Sequence, residues 1–219
     1  VNIFYRIRKE SGKDQEGIRF GMKNSFGTSV SVTLFGESHG AQIGAVLDGM
    51  APGIPVNREF ISSQLRKRAP VGKISTPRHE SDEFTICSGV FGDKTTGTPI
   101  CITIPNQNTK SEDYESTRWL ARPGHADYTF DEKFGFRDYR GGGRSSGRET
   151  IGRVAAGAIA SKILNQLGIS ITTYSKSIGN VEIDYNRFDK DNILKDTLYM
   201  PDKDASAKAQ ALLKEKIAD

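Results

Sequence analysis

Residues 140–168 read RGGGRSSGRETIGRVAAGAIASKILNQLG, a glycine-rich loop that leads into a helix. The three successive glycines at 141–143 allow positive φ and bring backbone N–H groups close to a ligand. Ser146 and Glu149 have the spacing of a capping box, in which the hydroxyl takes the N3 amide and the carboxylate returns to the cap amide. A helical apolar period follows, and Gly168 predicts its end. The many glycines and alanines make this helix slender, which predicts close packing against other elements.

The same loop has the composition of an anion site. Arg144 and Arg148 flank two serines at the predicted helix N-terminus. Free amides, the helix dipole and guanidinium groups all favour a phosphate at such a place. The alternative is a glycine loop before a capped core helix, with solvated arginines. Both interpretations stay open on spacing alone, because a single glycine-rich loop is a weak motif.

Length and composition indicate a globular protein. The 219 residues suffice for one large domain or two small ones, and 36% hydrophobic residues with 23 glycines predict a loop-rich fold. The net charge of +4 favours anionic partners of unspecified kind. Cys87 and Cys101 lie on separate predicted strands without a CxxC motif or nearby histidine, so we expect no metal site. A disulfide between them stays open.

The lengths of the apolar segments in the sequence predict where the protein is located. None approaches the ~20 residues that span a bilayer, and no signal-peptide core is visible near the start. We therefore expect a soluble cytoplasmic protein with no membrane attachment. Residues 1–21 are mixed and charged, and we interpret them as an upstream extension or an expression remnant before Met22.

One histidine lies in a loop between two predicted strands. The sequence GESHG, residues 36–40, joins strands predicted at 29–35 and 43–47. A tight turn would be enough to connect the two strands, but this loop also carries a carboxylate, a hydroxyl group and the imidazole of His39. A histidine at a strand end can act as an acid or base near neutral pH. The alternative is a turn histidine bonded to the backbone.

Two further segments concentrate positive charge. Between residues 66 and 79 the cationic or imidazole side chains are Arg66, Lys67, Arg68, Lys73, Arg78 and His79. A solvated charge run is the usual explanation, and a flexible clamp for a polyanion is the alternative. Farther on, RPGHAD at residues 122–127 fixes a turn that presents Arg122 and His125 together.

Alternation and turn signals predict the remaining elements. We expect strands at 83–90, 100–104, 169–175 and 178–183, helices at 57–67 and 192–198, and a last helix opened by Pro201 and Asp202.

Four separated stretches carry a family resemblance. In order they are FGESHG (35–40), RHESD (78–82) leading to SGVF (88–91) and TTG (95–97), RPGHAD (122–127) and GGGRSSGRET (141–150). Together they resemble the chorismate synthase family from about Met22 to Asp219. The resemblance implies an α+β fold, a β-α-β sandwich with helices between antiparallel sheets, incomplete here at the C-terminus. Residues 22–219 would be the N-terminal part of a single domain.

The resemblance also implies an activity. Members of the family are lyases of the shikimate pathway to aromatic amino acids. They remove phosphate and a C6 hydrogen from 5-enolpyruvylshikimate 3-phosphate to give chorismate, and they require reduced FMN without net redox change. Members are usually homotetramers. Whether the protein reduces its own flavin with NADPH or depends on a separate reductase is left open.

Matching positions imply the roles of individual residues. His39 resembles the histidine that protonates the departing phosphate, and His125 the one that protonates the reduced flavin near N1. The residues matching substrate-binding positions are Ser38, Arg68, Lys73, Arg122, Ser146 and Arg148. Those matching the flavin-contacting run are Arg144, Ser145 and Ser146. Lys73 stands where many relatives carry arginine, so it supplies charge without a bidentate fork. His79 is interpreted as a structural residue or as part of the clamp, not as a catalytic one.

Three other interpretations were weighed. A nucleic-acid-binding module would show repeated RGG or interleaved aromatic and basic residues, whereas this chain has one RGGGR. A P-loop hydrolase would need Gly-Lys-Ser/Thr at the helix start, which Ser146-Gly147-Arg148 does not supply. The third is an inactive fragment, since relatives are longer and contribute later flavin-binding segments and a C-terminal aspartate. If the polypeptide ended at Asp219, we would expect neither activity nor a stable family fold.

Overall fold

The computed structural model describes residues 21, 23–70, 80–107, 109 and 111–218. The interpretation of residues 1–21 and the substrate role of Lys73 thus fall outside the described residues, Gly21 excepted. The described chain divides into two compact units, the first containing positions up to 68 together with 80–163, and the second containing 69–70 and 164–218. That 22–219 belongs to one domain stays a prediction.

Helices and antiparallel sheets are both present, which confirms the predicted α+β class. The strands of the described residues are β1 (Ser25–Gly27), β2 (Ser31–Phe35), β3 (Gln42–Asp48), β4 (Thr85–Ile86), β5 (Val90–Phe91), β6 (Lys94–Thr95), β7 (Ile100–Pro105), β8 (Ser177–Ile178) and β9 (Val181–Glu182). The α-helices are α1 (Arg58–Arg68), α2 (Asp127–Phe134), α3 (Thr150–Gln166) and α4 (Lys203–Ala218). None of these helices is both long and apolar enough to cross a membrane.

An antiparallel sheet in the order β1-β2-β3-β7-β4 forms the centre of the first unit. In β7, Ile100, Ile102 and Ile104 are buried in the core, whereas Cys101 and Thr103 are half-buried on the other face. This alternation is what the period-2 pattern predicts, and the strands expected at 29–35, 43–47 and 100–104 are confirmed as β2, β3 and β7.

The strand predicted at 83–90 is wrong in its extent, because the strand β4 contains only two residues and is followed by a single further backbone hydrogen bond, from Cys87 to Cys101. The chain turns at Gly89, whose φ is +80°, and a Cβ there would lie 2.7 Å from the Cα of Ile100. Ser88 supports the turn by donating its hydroxyl to the carbonyl oxygen of Pro99 at 2.8 Å. The turn ends the pairing two residues after Ile86, and β5 and β6 form a separate hairpin.

Helix α3 packs closely on the sheet, as its small residues predict. A Cβ added at Gly152 would lie 2.8 Å from the carbonyl oxygen of Gly44 in β3, so the two backbones are in direct contact. On the same side of α3, Ile151, Ala155 and Ile159 are buried in the main core with the isoleucines of β7. This contact fixes the N-terminal end of α3, and the glycine loop before it, over the middle of the sheet.

We expect Gly152→Ala to destabilise the protein and Gly157→Ala to stabilise it, although both changes lie in α3. Helix propensity alone favours alanine over glycine by about 1 kcal/mol. At Gly157 nothing lies within 4 Å of an added Cβ, so this gain is realised. At Gly152 the methyl group meets backbone, and overpacking of this kind costs about 1–3 kcal/mol. Chemical unfolding of both variants measures the difference, and equal shifts would contradict the close contact.

The second unit is organised around the start of α4. Asp202 is buried, and its carboxylate accepts hydrogen bonds from the backbone N–H groups of Asp204 at 3.0 Å and Ala205 at 3.2 Å. It also accepts a hydrogen bond from Arg187 at 2.9 Å, and this bond is the main reason that the pKa of Asp202 is lowered. The prediction that Pro201 and Asp202 open the last helix is confirmed.

Two other predictions for the second unit are wrong. Residues 169–175 form no strand, and 178–183 contributes only to the two-residue pairing of β8 with β9. No α-helix covers 192–198, because aspartate side chains there bind backbone amides in place of a helical ladder. Asp196 accepts from the N–H of Leu198 at 2.9 Å, and Asp189 from that of Asp191 at 2.9 Å.

Candidate active site

The glycine loop enters α3 through two short 3₁₀ turns, Gly143–Ser145 and Gly147–Glu149. Ser146 lies between them in an extended conformation, and its hydroxyl accepts the N–H of Arg148 at 3.3 Å. The predicted capping box is therefore wrong: the hydroxyl takes the N2 amide instead of the N3 amide, and the carboxylate of Glu149 binds Arg144. A guanidinium is the stronger partner for a carboxylate because both groups are charged.

Arg144 holds the glycine loop against the end of β2. Its guanidinium donates to the carbonyl oxygen of Gly36 at 3.0 Å, to the side chain of Asn24 at 2.9 Å and to Glu149. Burial raises the pKa of Glu149, although the positive charge of Arg144 opposes that shift. The structure thus directs the Arg144 side chain towards protein partners, and its contact with a flavin stays a prediction.

His39 lies against the glycine loop. Its Nδ1 is 3.1 Å from the hydroxyl of the buried Ser38, and its ring meets that of Tyr114 edge-on with the centroids 5.1 Å apart. Gly141 makes this possible, because a Cβ at that residue would lie 2.4 Å from the imidazole. The backbone N–H of Ser38 donates to the carbonyl oxygen of Gly143 at 3.4 Å. The structure therefore brings the GESHG loop and the glycine loop together.

Arg122 ties the RPGHAD turn to the same glycines. Its Nε and Nη2 donate to the carboxylate of Asp127 at 2.7 and 2.9 Å, and Nη2 also donates to the carbonyl oxygen of Gly141 at 2.6 Å. The guanidinium carbon lies 5.5 Å from the centre of the Tyr114 ring. The hydrogen bond from Arg122 lowers the pKa of the buried Asp127 to about 2. Tyr114 thus contacts both His39 and Arg122.

His125 lines a pocket beside this cluster. The pocket has a volume of about 420 Å³ and is lined by Gly124, His125, Ala126, Gly142, Ser145, Ser146 and Gly147. The ring of His125 is exposed, and its Nδ1 is 3.1 Å from the carbonyl oxygen of Pro123. Because a carbonyl oxygen only accepts hydrogen bonds, this contact is a hydrogen bond in the tautomer that carries its proton on Nδ1.

Two arginines, one from the end of α1 and one from the turn before α3, converge on one aspartate. Arg68 and Arg148 each donate to Asp82 at 2.9 Å, one to each carboxylate oxygen. Glu80 lies 3.6 Å from Arg148, whose side chain is 6% exposed. Asp82 has a φ of +51°, an uncommon conformation for a residue with a side chain. The positive charges of both arginines are therefore balanced within the protein.

Asn106 connects this charge cluster to the GESHG loop. Its amide nitrogen donates to the carbonyl oxygens of Glu37 at 2.9 Å and Gly40 at 2.8 Å, while its oxygen accepts from the Nε of Arg148 at 2.5 Å. The Nη2 of Arg148 also donates to the carbonyl oxygen of Pro105 at 3.2 Å. All three guanidinium nitrogens of Arg148 are thus engaged.

The predicted site residues fall into three groups. Ser38, His39 and Arg122 meet around Gly141, His125, Ser145 and Ser146 line the pocket, and Arg68 and Arg148 meet at Asp82, whereas Lys73 lies outside the described residues. Sequence reasoning missed Asp82, Asn106, Tyr114 and Asp127 as supporting residues. Asp82 and Asp127 stood inside quoted motifs and could have been found there. Asn106 and Tyr114 lie in a polar stretch that gave no signal.

We expect Asp127→Asn to lower the free energy of unfolding by about 2.5 kcal/mol at neutral pH, at 1.36 kcal/mol per pKa unit. Because the folded pKa is about 2 and the unfolded one about 3.9, the ionised group stabilises the protein above pH 4. This contribution is lost as the pH falls from about 4 to about 2. Unfolding of both proteins across that range measures it, and a pH-independent difference would contradict the ion pair.

Asp131→Asn is the matched control on the same helix. The Asp131 side chain pairs with Arg137 and is 48% exposed, so we expect a change below about 1 kcal/mol.

A family model described as chorismate synthase matches residues 30–219. The chorismate synthase of Lachnoclostridium phytofermentans is 55% identical over 193 residues, covering 88% of this chain and 53% of that protein. That of Bacteroides thetaiotaomicron is 47% identical, covering 83% and 51%. A crystal structure of chorismate synthase matches with a TM-score of 0.64 at 28% identity, covering 85% of this chain and 52% of that one.

These matches confirm the resemblance drawn from the four motifs and the fold class it implied. The chain spans about half the length of the curated relatives it matches.

Proposed function

The chain belongs to the chorismate synthase family, and we propose that the complete protein eliminates phosphate and a C6 hydrogen from 5-enolpyruvylshikimate 3-phosphate to give chorismate. The observation that carries the proposal is the meeting of three motif loops at Gly141 to Gly143. His39 contacts Gly141, Arg122 donates to Gly141, and His125 shares a pocket with Gly142. Two imidazoles and a guanidinium thus surround one glycine-rich backbone.

The substrate carries a phosphate and two carboxylates, so its site needs several fixed cations. Arg122 is suited to the task because Asp127 and Gly141 hold its Nε and Nη2, which leaves Nη1 as the guanidinium nitrogen without a partner among the described residues. Arg68 and Arg148 are balanced by Asp82, so their binding of a substrate anion requires that carboxylate to give way. We assign Ser38, Ser146 and Lys73 to the same site by their motif positions.

His39 and His125 are the proposed proton-transfer groups. His39 would protonate the departing phosphate, and its ring is fixed for this by Ser38 and Tyr114. His125 would move a proton at Nε2, since its Nδ1 is held by Pro123. An imidazole suits both steps because its proton affinity is poised near neutral pH.

Reduced FMN fits the pocket that contains His125. Its volume of about 420 Å³ is in the range of ligand pockets, the glycines in its wall admit a flat ring, and Ser145 and Ser146 offer hydroxyl groups. When bound, the reduced flavin supplies an electron to the reaction and regains it, so that no net redox change results. We propose that Ser145, Ser146 and His125 hold it, and that Arg144 contributes by fixing the loop.

The remaining features of the proposal concern the whole protein. We propose a cytoplasmic homotetramer that acts on a small phosphorylated substrate, without nucleic-acid or membrane partners. NADPH would serve as the source of reducing equivalents. Sedimentation of the complete protein tests the tetramer, and flavin reduction by NADPH under anaerobic conditions tests the intrinsic reductase.

Anaerobic turnover of the complete gene product with dithionite-reduced FMN tests the activity. Chorismate is followed by absorbance and phosphate release in the same sample, and we expect both products in equal amounts. The matched control replaces reduced FMN by oxidised FMN and should give neither product. A complete protein that binds flavin and substrate but releases no phosphate would overturn the proposal.

A further inference from the structure

Cys87, the residue that follows β4, lies opposite Cys101 of the neighbouring strand β7. The pairing of β4 with β7 sets Thr85 against Thr103 and Ile86 against Ile102, so Cys87 comes next to Cys101. The backbone N–H of Cys87 donates to the carbonyl oxygen of Cys101 at 2.8 Å, which extends the pairing to this position. Cys87 and Cys101 are all the cysteines that the sequence contains.

Both thiols project from the same face of the sheet. Ile100 and Ile102 are buried in the core, so Cys101 between them points to the opposite face, where it is half-buried. Cys87 is exposed, and its Sγ lies 3.6 Å from the hydroxyl of Thr103, the next outward residue of β7. Burial and then the charge and hydrogen bond of Cys87 raise the pKa of Cys101.

The spacing of this pair suits a disulfide. Directly opposed, hydrogen-bonded residues of antiparallel strands have Cα atoms about 5.5 Å apart, and disulfides join Cα atoms about 4.4–6.8 Å apart. The second hydrogen bond of the pair is absent, because the N–H of Cys101 donates to the hydroxyl of Ser88 at 3.2 Å. The cysteines therefore lie at the end of the pairing between β4 and β7.

We propose that Cys87 and Cys101 form a peroxide-sensitive dithiol that oxidises to an intramolecular disulfide. The exposed Cys87 reacts first: its thiolate attacks one peroxide oxygen, the O–O bond breaks, hydroxide leaves and a sulfenic acid forms. The Cys101 thiolate then attacks the sulfur of Cys87, the S–S bond forms and a second hydroxide leaves. Two thiols and one hydrogen peroxide thus give one disulfide and two waters. The linkage joins β4 to β7 and is independent of the proposed lyase activity.

Oxidation of the purified, reduced chain with equimolar hydrogen peroxide tests the proposal. We expect the thiol titre in denaturant to fall from two per chain to none, with the mass lower by two hydrogens. After trypsin, the peptides 79–94 and 95–110 should be joined in material that is monomeric on a non-reducing gel. A covalent dimer, or sulfinic and sulfonic acids without the joined peptides, would overturn the proposal.

The variant T85C/C87S is the matched control, since it keeps two thiols on the same face. Thr85 pairs with Thr103, so a cysteine there lies diagonal to Cys101. Diagonal neighbours are about 7–8 Å apart, beyond the ~7 Å that a disulfide spans without backbone movement. We expect this variant to form no internal disulfide under the same treatment. Equal disulfide yields in the two proteins would show that the register does not direct the reaction.

Discussion

Alanine at His39 or at His125 is expected to lower turnover of the complete protein by about 10²- to 10⁴-fold, the usual contribution of a positioned acid or base. The structure supports separate roles for the two side chains, because they occupy different positions beside the glycine loop. His39 is enclosed by Ser38, Tyr114 and Gly141, whereas the exposed His125 opens on the pocket. Steady-state rates with reduced FMN, with chorismate and phosphate followed together, measure both losses.

Stability separates a loss of chemistry from a loss of structure in this experiment. The His125 ring is exposed, so its removal should leave the unfolding midpoint unchanged while turnover falls. Removal of the His39 ring leaves a gap beside Gly141 and should lower stability modestly. Unchanged turnover in both His39→Ala and His125→Ala would disprove the assigned roles.

Most elements of the first unit could be predicted because local signals and tertiary packing agree. Asn57 is a good N-cap in the sequence, and its side chain accepts the N–H of Phe60 at 2.7 Å in the structure. In β7, buried and half-buried residues alternate, so that one face of the strand lies in the core. Predictions failed where a polar side chain competes for backbone groups, as Asp196 does in the segment predicted to be helical.

The candidate site was predictable as a set of loops and not as a set of contacts. The four motifs contain the histidines and arginines, but nothing in their spacing says which acid each arginine meets. Arg122 pairs with Asp127 and Arg144 with Glu149, each across five positions of irregular backbone where helix-spacing rules do not apply. Arg148 pairs with Asp82, 66 positions earlier in the chain. Such pairs depend on how the loops are brought together by the sheet.

Replacing Arg148 is therefore expected to affect stability before it affects substrate binding. From its motif alone, Arg148→Ala should chiefly weaken the binding of a phosphorylated substrate. In the structure the side chain is 6% exposed and bonded to Asp82, Asn106 and Pro105, with Glu80 at 3.6 Å. Removing one partner of an isolated buried ion pair costs about 3–5 kcal/mol, and we expect a loss at the lower end of this range because Arg68 still pairs with Asp82. Chemical unfolding at neutral pH measures this loss.

Arg66→Ala is the matched control, because Arg66 forms a solvent-exposed ion pair with Glu59. The two side chains are 65% and 79% exposed. An exposed pair of this kind contributes about 0–1 kcal/mol, so this variant should unfold nearly as the parent does. Arg148→Ala unfolding at the same denaturant concentration as Arg66→Ala would contradict the buried network.

A double variant identifies the source of the loss. If Arg148→Ala destabilises because the buried Asp82 keeps Arg68 but loses its second guanidinium partner, then Asp82→Asn in the same chain removes part of the penalty. The double variant should be more stable than the sum of the two single changes predicts, although Arg68 also loses its partner at Asp82. Strict additivity would mean that Arg148 stabilises the fold through Asn106 and Pro105 instead. The carboxylate would then be free to give way to a substrate anion at little cost, and direct substrate binding by Arg148 would become the stronger interpretation.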